Sequence, residues 1–298
     1  MKSVLPRLAL GIALATAAPL LTAGETAPRL EIEWLGAATM RLTFDGHQLL
    51  TDPALGEGAQ AFEMLDPNAP AGNAPPVPVM HRRLTPLPAV PLDGVGHVLV
   101  SHLHEDHFDQ KAAATLARNV PVVLPEVDAS RLRELGFVAG RPTDWGETLS
   151  IETAHGSIEI TAVPAEHSAS PDVAAKLGQG NGYWMTFRQG DWRRSVYWTG
   201  DTFPTARVIA RIQPLGAPDL LIGHVGGVGG NGGMFGQLSM RGSDLRTLAD
   251  AIHPRAVLPI HHSTHALYLE PVWKVAEQFS DGAYRYDQIS AGSTLIID

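Results

Sequence analysis

The chain has 298 residues, 44% of them hydrophobic, no cysteine and a formal charge of −9 at pH 7. A chain of that length holds one large domain or two small ones and buries most of its apolar surface. The acidic balance argues against non-specific binding to nucleic acid or anionic lipid, and no stability rests on disulfides.

Lys2 and Arg7 followed by the uncharged, apolar run Leu8 to Ala23 read as a secretory signal, with Thr22-Ala23-Gly24 as the favoured cleavage point. The expectation is a signal peptide over residues 1–24, a single domain over 25–298, and a periplasmic or secreted protein. Losing the charges of Lys2 and Arg7 takes the balance from −9 to −11. A retained anchor or buried helix is the alternative, and Pro19 and the shortness of the apolar run speak against it. No later segment is long and apolar enough to span a membrane, so no stable insertion is expected after cleavage.

Strand signals follow at Leu30 to Leu35, Thr39 to Phe44 and Gln48 to Thr51, with Asp45-Gly46 as a turn. Residues 53 to about 95 are rich in Pro, Ala and Gly, and read equally as a surface insertion or a lid over a site. Further strands are predicted at 98–100, 122–124, 149–153, 158–163, 183–187, 195–199, 220–222 and 256–260. Helical patterns fall at 110–119, 128–135, 204–212, 242–252 and 270–279. Without repeats or an evident linker, this order reads as one α/β domain of two sheets with helices outside.

The densest chemistry lies at Ser101 to Asp109. His102, His104, Asp106 and His107 form H-x-H-x-D-H on a strand-to-helix turn, with Asp109 as the expected helix N-cap. In an extended segment His102 and His104 share a face, while Asp106 and His107 aim at a second point. Imidazole and carboxylate suit zinc, iron or manganese. Four such ligands are too many for one open catalytic metal, so two ions are expected.

Later strand ends offer more ligands. His167 follows Val163, Asp201 leaves its strand through Gly200, and His261-His262 closes the run from Ala256. Each alone is ordinary; their order after the first motif is not.

Taken together these residues resemble the metallo-β-lactamase-fold hydrolases. That resemblance implies an αββα sandwich and two divalent cations, zinc first, with manganese or iron also compatible. It implies His102, His104 and His167 on one metal, Asp106, His107 and His261 on the other, and Asp201 bridging. It selects His261 over His262. A hydroxide bridging the metals would attack an ester, lactone or phosphodiester bond of a small-molecule or lipid-like substrate, with Asp106 orienting or accepting the proton. Trp34 to Thr39, Leu50 to Pro53, Arg82 to Pro88, Thr143 to Glu147 and Pro259 to Thr264 are most similar to the branch of ascorbate-6-phosphate lactonases and N-acylphosphatidylethanolamine phospholipase D. Ala37 and Ser263 depart from that branch, where His and Gly are usual.

His224, after the run Asp219 to Gly223, is a candidate substrate contact or proton donor, so Asp106 and His224 are the proposed catalytic side chains. Asp52 either caps a turn before Pro53 or, as the resemblance implies, steadies a ligand histidine. His262 and His265 read as rim residues, and His47, His81, His97, His155 and His253 as ordinary polar positions. Two other functions stay open: a class B-like β-lactamase, disfavoured by the missing Cys and by Asp201, and a non-catalytic metal-binding protein.

Overall fold

The computed structural model describes residues 27–70, 72, 77–230 and 232–298. The expected signal segment lies outside the described residues. Two seven-stranded sheets face each other. The first carries β1 (Leu30–Gly36), β2 (Thr39–Phe44), β3 (His47–Thr51), β6 (Val95–Leu99), β7 (Val122–Leu124) and β8 (Gly140–Pro142), with the last strand, β16 (Thr294–Ile297), on the far side of β1. The second runs in the order β15 (Arg285–Tyr286), β14 (Ala256–Ile260), β13 (Leu220–His224), β12 (Trp192–Trp198), β11 (Gly180–Gln189), β10 (Ser157–Ala165) and β9 (Thr148–Glu152). A small hairpin, β4 (Phe62–Leu65) with β5 (Pro78–His81), stands apart.

The two-residue period of the strands explains the layering. Leu49, Leu99, Val196, Trp198, Leu220, Ile222 and Leu258 point between the sheets. Their sequence neighbours Leu50, Val98, Tyr197, Leu221 and Val257 point outward, where helices cover them. Helices α4 (Ala206–Ile212), α5 (Gly242–Ile252) and α6 (Val272–Glu277) cover the second sheet through Val208, Leu245, Leu248 and Val275. Helices α1 (Gln110–Thr115) and α2 (Ala129–Glu134) cover the first through Ala112 and Leu132. The fold is therefore the expected αββα sandwich. Trp198 lies fully buried at its centre, and truncating it to Ala would cost about 3–5 kcal/mol.

Several elements differ from the sequence expectation. Helix α1 stops at Thr115 because Leu116 turns to extended backbone, although Asp109 caps it as expected, accepting from Ala112 N at 2.7 Å. Helix α3 (Pro171–Leu177), β8, β15 and β16 give too short or too weakly patterned a signal to predict. The stretch 53–95 is not wholly irregular: it contains the β4–β5 hairpin.

The topology places the site. β3 and β6 are parallel, and so are β12, β13 and β14. β10 runs in the same direction as β12, because β11 is antiparallel to both. Their carboxyl ends therefore open on one edge of the sandwich. Among the described residues no helix is long and apolar enough to cross a membrane.

Candidate metal centre

Each expected ligand leaves one of these strand ends. His102, His104, Asp106 and His107 follow β6, His167 follows β10, Asp201 follows β12, and His261 follows β14. The backbone at Gly200 has φ +60°, and a Cβ there would lie 2.6 Å from Asn181 O and 3.1 Å from Ser101 Cβ. Only glycine lets the β12 end pass so close to the β6 turn.

Of four groups whose ligand atoms lie within 4.8 Å of one another, two are the expected trios, His102, His104 and His167, and Asp106, His107 and His261, and a third joins His102 and His107 to Asp201. Asp201 lies between the two trios. Its Oδ2 is 3.4 Å from His107 Nε2 and 3.6 Å from His167 Nε2. Asp106 Oδ2 is 3.5 Å from His261 Nε2 and 3.8 Å from His107 Nε2. His262 joins neither trio. Its Nδ1 meets Ser263 Oγ at 2.9 Å and its ring packs 4.8 Å from Trp34.

The ring orientations are set from behind. His107 Nδ1 lies 2.6 Å from Asp52 Oδ2, and His261 Nδ1 lies 2.9 Å from the Val225 carbonyl. Both Nδ1–H groups donate to these acceptors, which turns both Nε2 atoms to the centre. Asp52 also accepts from Ser101 N at 2.7 Å and Ser101 Oγ at 2.6 Å. It thus steadies His107, one of the expected ligands, and is not just a turn cap. Ser101 Oγ touches His102 Nδ1 at 2.9 Å. Sequence reasoning missed Ser101, whose only signal was its place before the first motif. A further grouping of Asp52, His107 and His224 is geometrically close, but Asp52 and His107 are already committed to each other.

His224 corrects the expectation of a substrate contact. It is fully buried behind Asp201, with Nδ1 3.1 Å from Asp201 Oδ1. It holds the carboxylate and does not reach the cleft. His262 and His265 are not rim residues either, being 3% and 1% exposed. The two motifs flanking the site meet each other: Ala37 O accepts from His261 N at 2.9 Å, and Ala37 N donates to Thr264 Oγ1 at 2.7 Å. His261 itself has φ +62°, a strained conformation of order 1–3 kcal/mol for a non-glycine residue, held by that clasp.

The donor set fits cations. His102 Nε2, His107 Nε2 and His261 Nε2 are buried with no hydrogen-bond partner. Such atoms cost about 1–3 kcal/mol each unless something takes them up. Burial, then His107 and His104, lowers His102 well below the ordinary range, and burial with His167 takes His104 down to about 3. These rings are neutral and offer lone pairs. Burial alone would lower His107, but Asp201, Asp106 and Asp52 outweigh it and raise that imidazole. The same carboxylates would favour a bound cation.

A cleft of about 480 Å³ leads to this centre. His104, Asp106, His167 and Asp201 form its floor, and Met64, Val228, Met234, Phe235 and Leu238 are among its walls. The walls come from two irregular segments clasped together. Gly229 N donates to Asn68 Oδ1 at 2.7 Å, and Met234 N to Ala69 O at 3.1 Å. Met64 falls in the stretch 53–95, which read equally as an insertion or a lid; the sequence pattern did not single out Val228, Met234, Phe235 or Leu238.

Comparison with known proteins agrees with this architecture. Residues 47–262 match the model of the beta-lactamase superfamily domain. A protein named metal-dependent hydrolase in Cupriavidus necator is 27% identical over 253 residues, covering 80% of this chain and 75% of its own length. Another in Methylobacterium nodulans is 27% identical over 238 residues, covering 79% and 86%. The chain spans only 43% of the length of an uncharacterized Mycobacterium tuberculosis protein that it matches at 27% identity over 59% of itself. Among solved structures, isothiocyanate hydrolase from Delia radicum gut bacteria superposes with a TM-score of 0.71 at 20% identity, covering 89% of this chain and 98% of that one. A possible metal-dependent hydrolase from Veillonella parvula gives 0.69 at 20% identity, covering 90% and 98%. With the αββα sandwich, the strand-end histidines and a family match over most of its length, the chain belongs to the beta-lactamase superfamily.

Proposed function

We propose that the protein is a metal-dependent hydrolase holding two divalent cations, zinc first and manganese or iron as alternatives, and that it cleaves an ester, lactone or phosphodiester bond. One observation carries this reading: three buried, unpartnered Nε2 atoms, of His102, His107 and His261, converge beside the Asp201 carboxylate. His102, His104 and His167 would hold one cation, and Asp106, His107 and His261 the other, with Asp201 shared. When bound, such cations supply Lewis acidity and make water a nucleophile near neutral pH. Asp106 is both a proposed ligand and part of the cleft floor, so its carboxylate can orient water or take its proton. His224 acts one step back, keeping Asp201 turned to both trios through the 3.1 Å contact. No serine or cysteine nucleophile is required.

The flanking motifs support the branch of ascorbate-6-phosphate lactonases and N-acylphosphatidylethanolamine phospholipase D. The Ala37–His261 and Ala37–Thr264 contacts join two of those motifs in space. The basic and apolar start of the chain supports export and cleavage near residue 24, so the substrate is sought in the periplasm or outside the cell. N-terminal sequencing of exported material should find a mature chain beginning near Glu25; an intact Met1 in the cytosol would remove the export reading.

The test is elemental analysis of protein purified without chelator, joined to a hydrolysis screen of esters, lactones, phosphodiesters and β-lactams. The expected result is about two cations per chain and turnover outside the β-lactams. Turnover of β-lactams alone would favour the lactamase reading. Full metal loading with no turnover across the screen would favour a binding protein.

A further inference from the structure

The cleft says more than the floor does. Its walls carry Met64, Leu65, Val228, Met234, Phe235 and Leu238. Leu65 is 40% exposed and Met234 and Phe235 are half-buried, so apolar surface faces the space directly above the proposed ligands. Methionine and phenylalanine adapt to apolar groups of varied shape. Apart from the cations its floor would hold, the charged side chains in the same cleft are of one sign. Glu63, Asp66 and Glu105 line it, and among the described residues no lysine or arginine does. Glu105 is neutralised by Arg131 at 2.6 Å. The Asp66 carboxylate accepts from Asn68 N at 2.9 Å. Glu63 meets Gln110 through its main chain. Neither Glu63 nor Asp66 has an ion-pair partner among the described residues.

We infer that the part of the substrate lying beyond the scissile bond is uncharged and apolar, a medium-length chain or a ring, and that phosphorylated or carboxylated arms are rejected. This inference rests on the hydrolytic reading of the centre, narrows it to neutral esters and lactones, and sets this cleft apart from the phosphorylated substrates for which the enzymes of the similar branch are named. Three physical terms point the same way. An apolar arm exchanges water for the Met234, Phe235 and Leu238 wall, worth roughly fourfold in binding per buried methylene. An anionic arm meets Glu63 and Asp66 with no guanidinium or ammonium to offset them. A cleft of about 480 Å³ lies at the lower end of the usual range for small-ligand sites, which suits one short chain better than two long ones.

The experiment uses the full chain loaded with zinc and nitrophenyl esters of two, four, six and eight acyl carbons, together with an eight-carbon ester ending in a carboxylate. Specificity constants should rise about threefold or more per added methylene and fall about tenfold or more for the carboxylate-ended ester. Phe235→Ala and Met234→Ala should flatten the chain-length series, lowering the constant for the eight-carbon ester by a larger factor than that for the two-carbon ester. Glu63→Lys with Asp66→Lys should recover the anionic ester. A flat series, or a preference for the anionic ester, overturns the inference. Calorimetric binding of acetamide, hexanamide and octanamide separates the two readings. Chain-length-dependent binding that Phe235→Ala weakens, with no ester or lactone turned over, would sustain the apolar cleft and sink the hydrolase. Equal or absent binding of all three amides would sink the cleft inference whatever the turnover.

Discussion

The two trios of proposed ligands differ in what stands behind them. His107 and His261 are fully buried, and each has its Nδ1 anchored, one on Asp52 and one on the Val225 carbonyl. His104 and His167 line the cleft, and among the described residues no hydrogen bond fixes either ring. Only His102 in that trio has a hydrogen-bonded Nδ1, against Ser101 Oγ. One half of the centre is therefore pre-formed from the interior, and the other is shaped where the substrate enters. The difference teaches that a ligand set read as equivalent residues in a motif need not be equivalent in rigidity. The anchored trio should hold its cation more tightly.

The largest expected effect comes from breaking what the halves share. Asp201→Ala should lower turnover by about 10³-fold and metal content below two per chain, with far-UV circular dichroism unchanged. Near-normal activity and loading would reduce Asp201 to a turn residue and leave the two trios independent.

Next is the anchored half itself. His261→Ala should lose one cation on elemental analysis. His262→Ala should keep both and lose the packing against Trp34 and the contact with Ser263 Oγ, about 1–3 kcal/mol of stability. The reverse result would move the ligand by one residue and undo the geometry of the Asp106 trio.

A gentler change sharpens the comparison further. Asp52→Asn removes the negative charge behind His107 while keeping the shape of the side chain. It should weaken the tighter of two metal-binding steps by about 10–100-fold and leave the weaker step nearly unaltered. Stepwise removal with a chelator should then lose its two-stage character. If the weaker step responds instead, the anchored trio is not the tighter site.

The same contrast governs what the sequence revealed. His102, His104, Asp106, His107, His167, Asp201 and His261 were legible because each sits at a strand end, where a run of Val, Leu and Ile announces the element and a polar residue marks its exit. The inner and outer faces were legible by alternation, as in Leu220, Leu221 and Ile222. The cleft walls were not. Met234, Phe235 and Leu238 sit in a glycine-rich loop without periodicity, and their place depends on Asn68, some 160 residues away. β16 was missed for the same reason, since a four-residue strand pairs with β1 only by closing the whole chain. His224 was noticed but misjudged, because exposure at a strand end cannot be told from burial behind a neighbouring strand's carboxylate.

The smallest expected effect separates the acid response of the centre from that of the rest of the sandwich. His47 Nε2 and His97 Nδ1 lie 3.1 Å apart on β3 and the paired β6, far from the ligand cluster in kind if not in sheet. Burial, then His47 and Arg141, lowers His97 to about 4, and burial lowers His47 as well. Both imidazoles are therefore held neutral in the fold, while in the unfolded chain they titrate near 6.5. Above pH 6.5 neither state binds the proton and the pair has no effect on the pH dependence. As pH falls from 6.5 towards 4 the unfolded chain takes up protons that the folded chain refuses, so stability declines. His97→Gln should remove part of that decline, raising the melting temperature of the metal-loaded protein relative to wild type by about 1–3 °C at pH 5 compared with the difference at pH 7.5. Thermal unfolding at the two pH values is the measurement. An identical acid response in both proteins would assign the whole decline to other groups, the ligand histidines first among them.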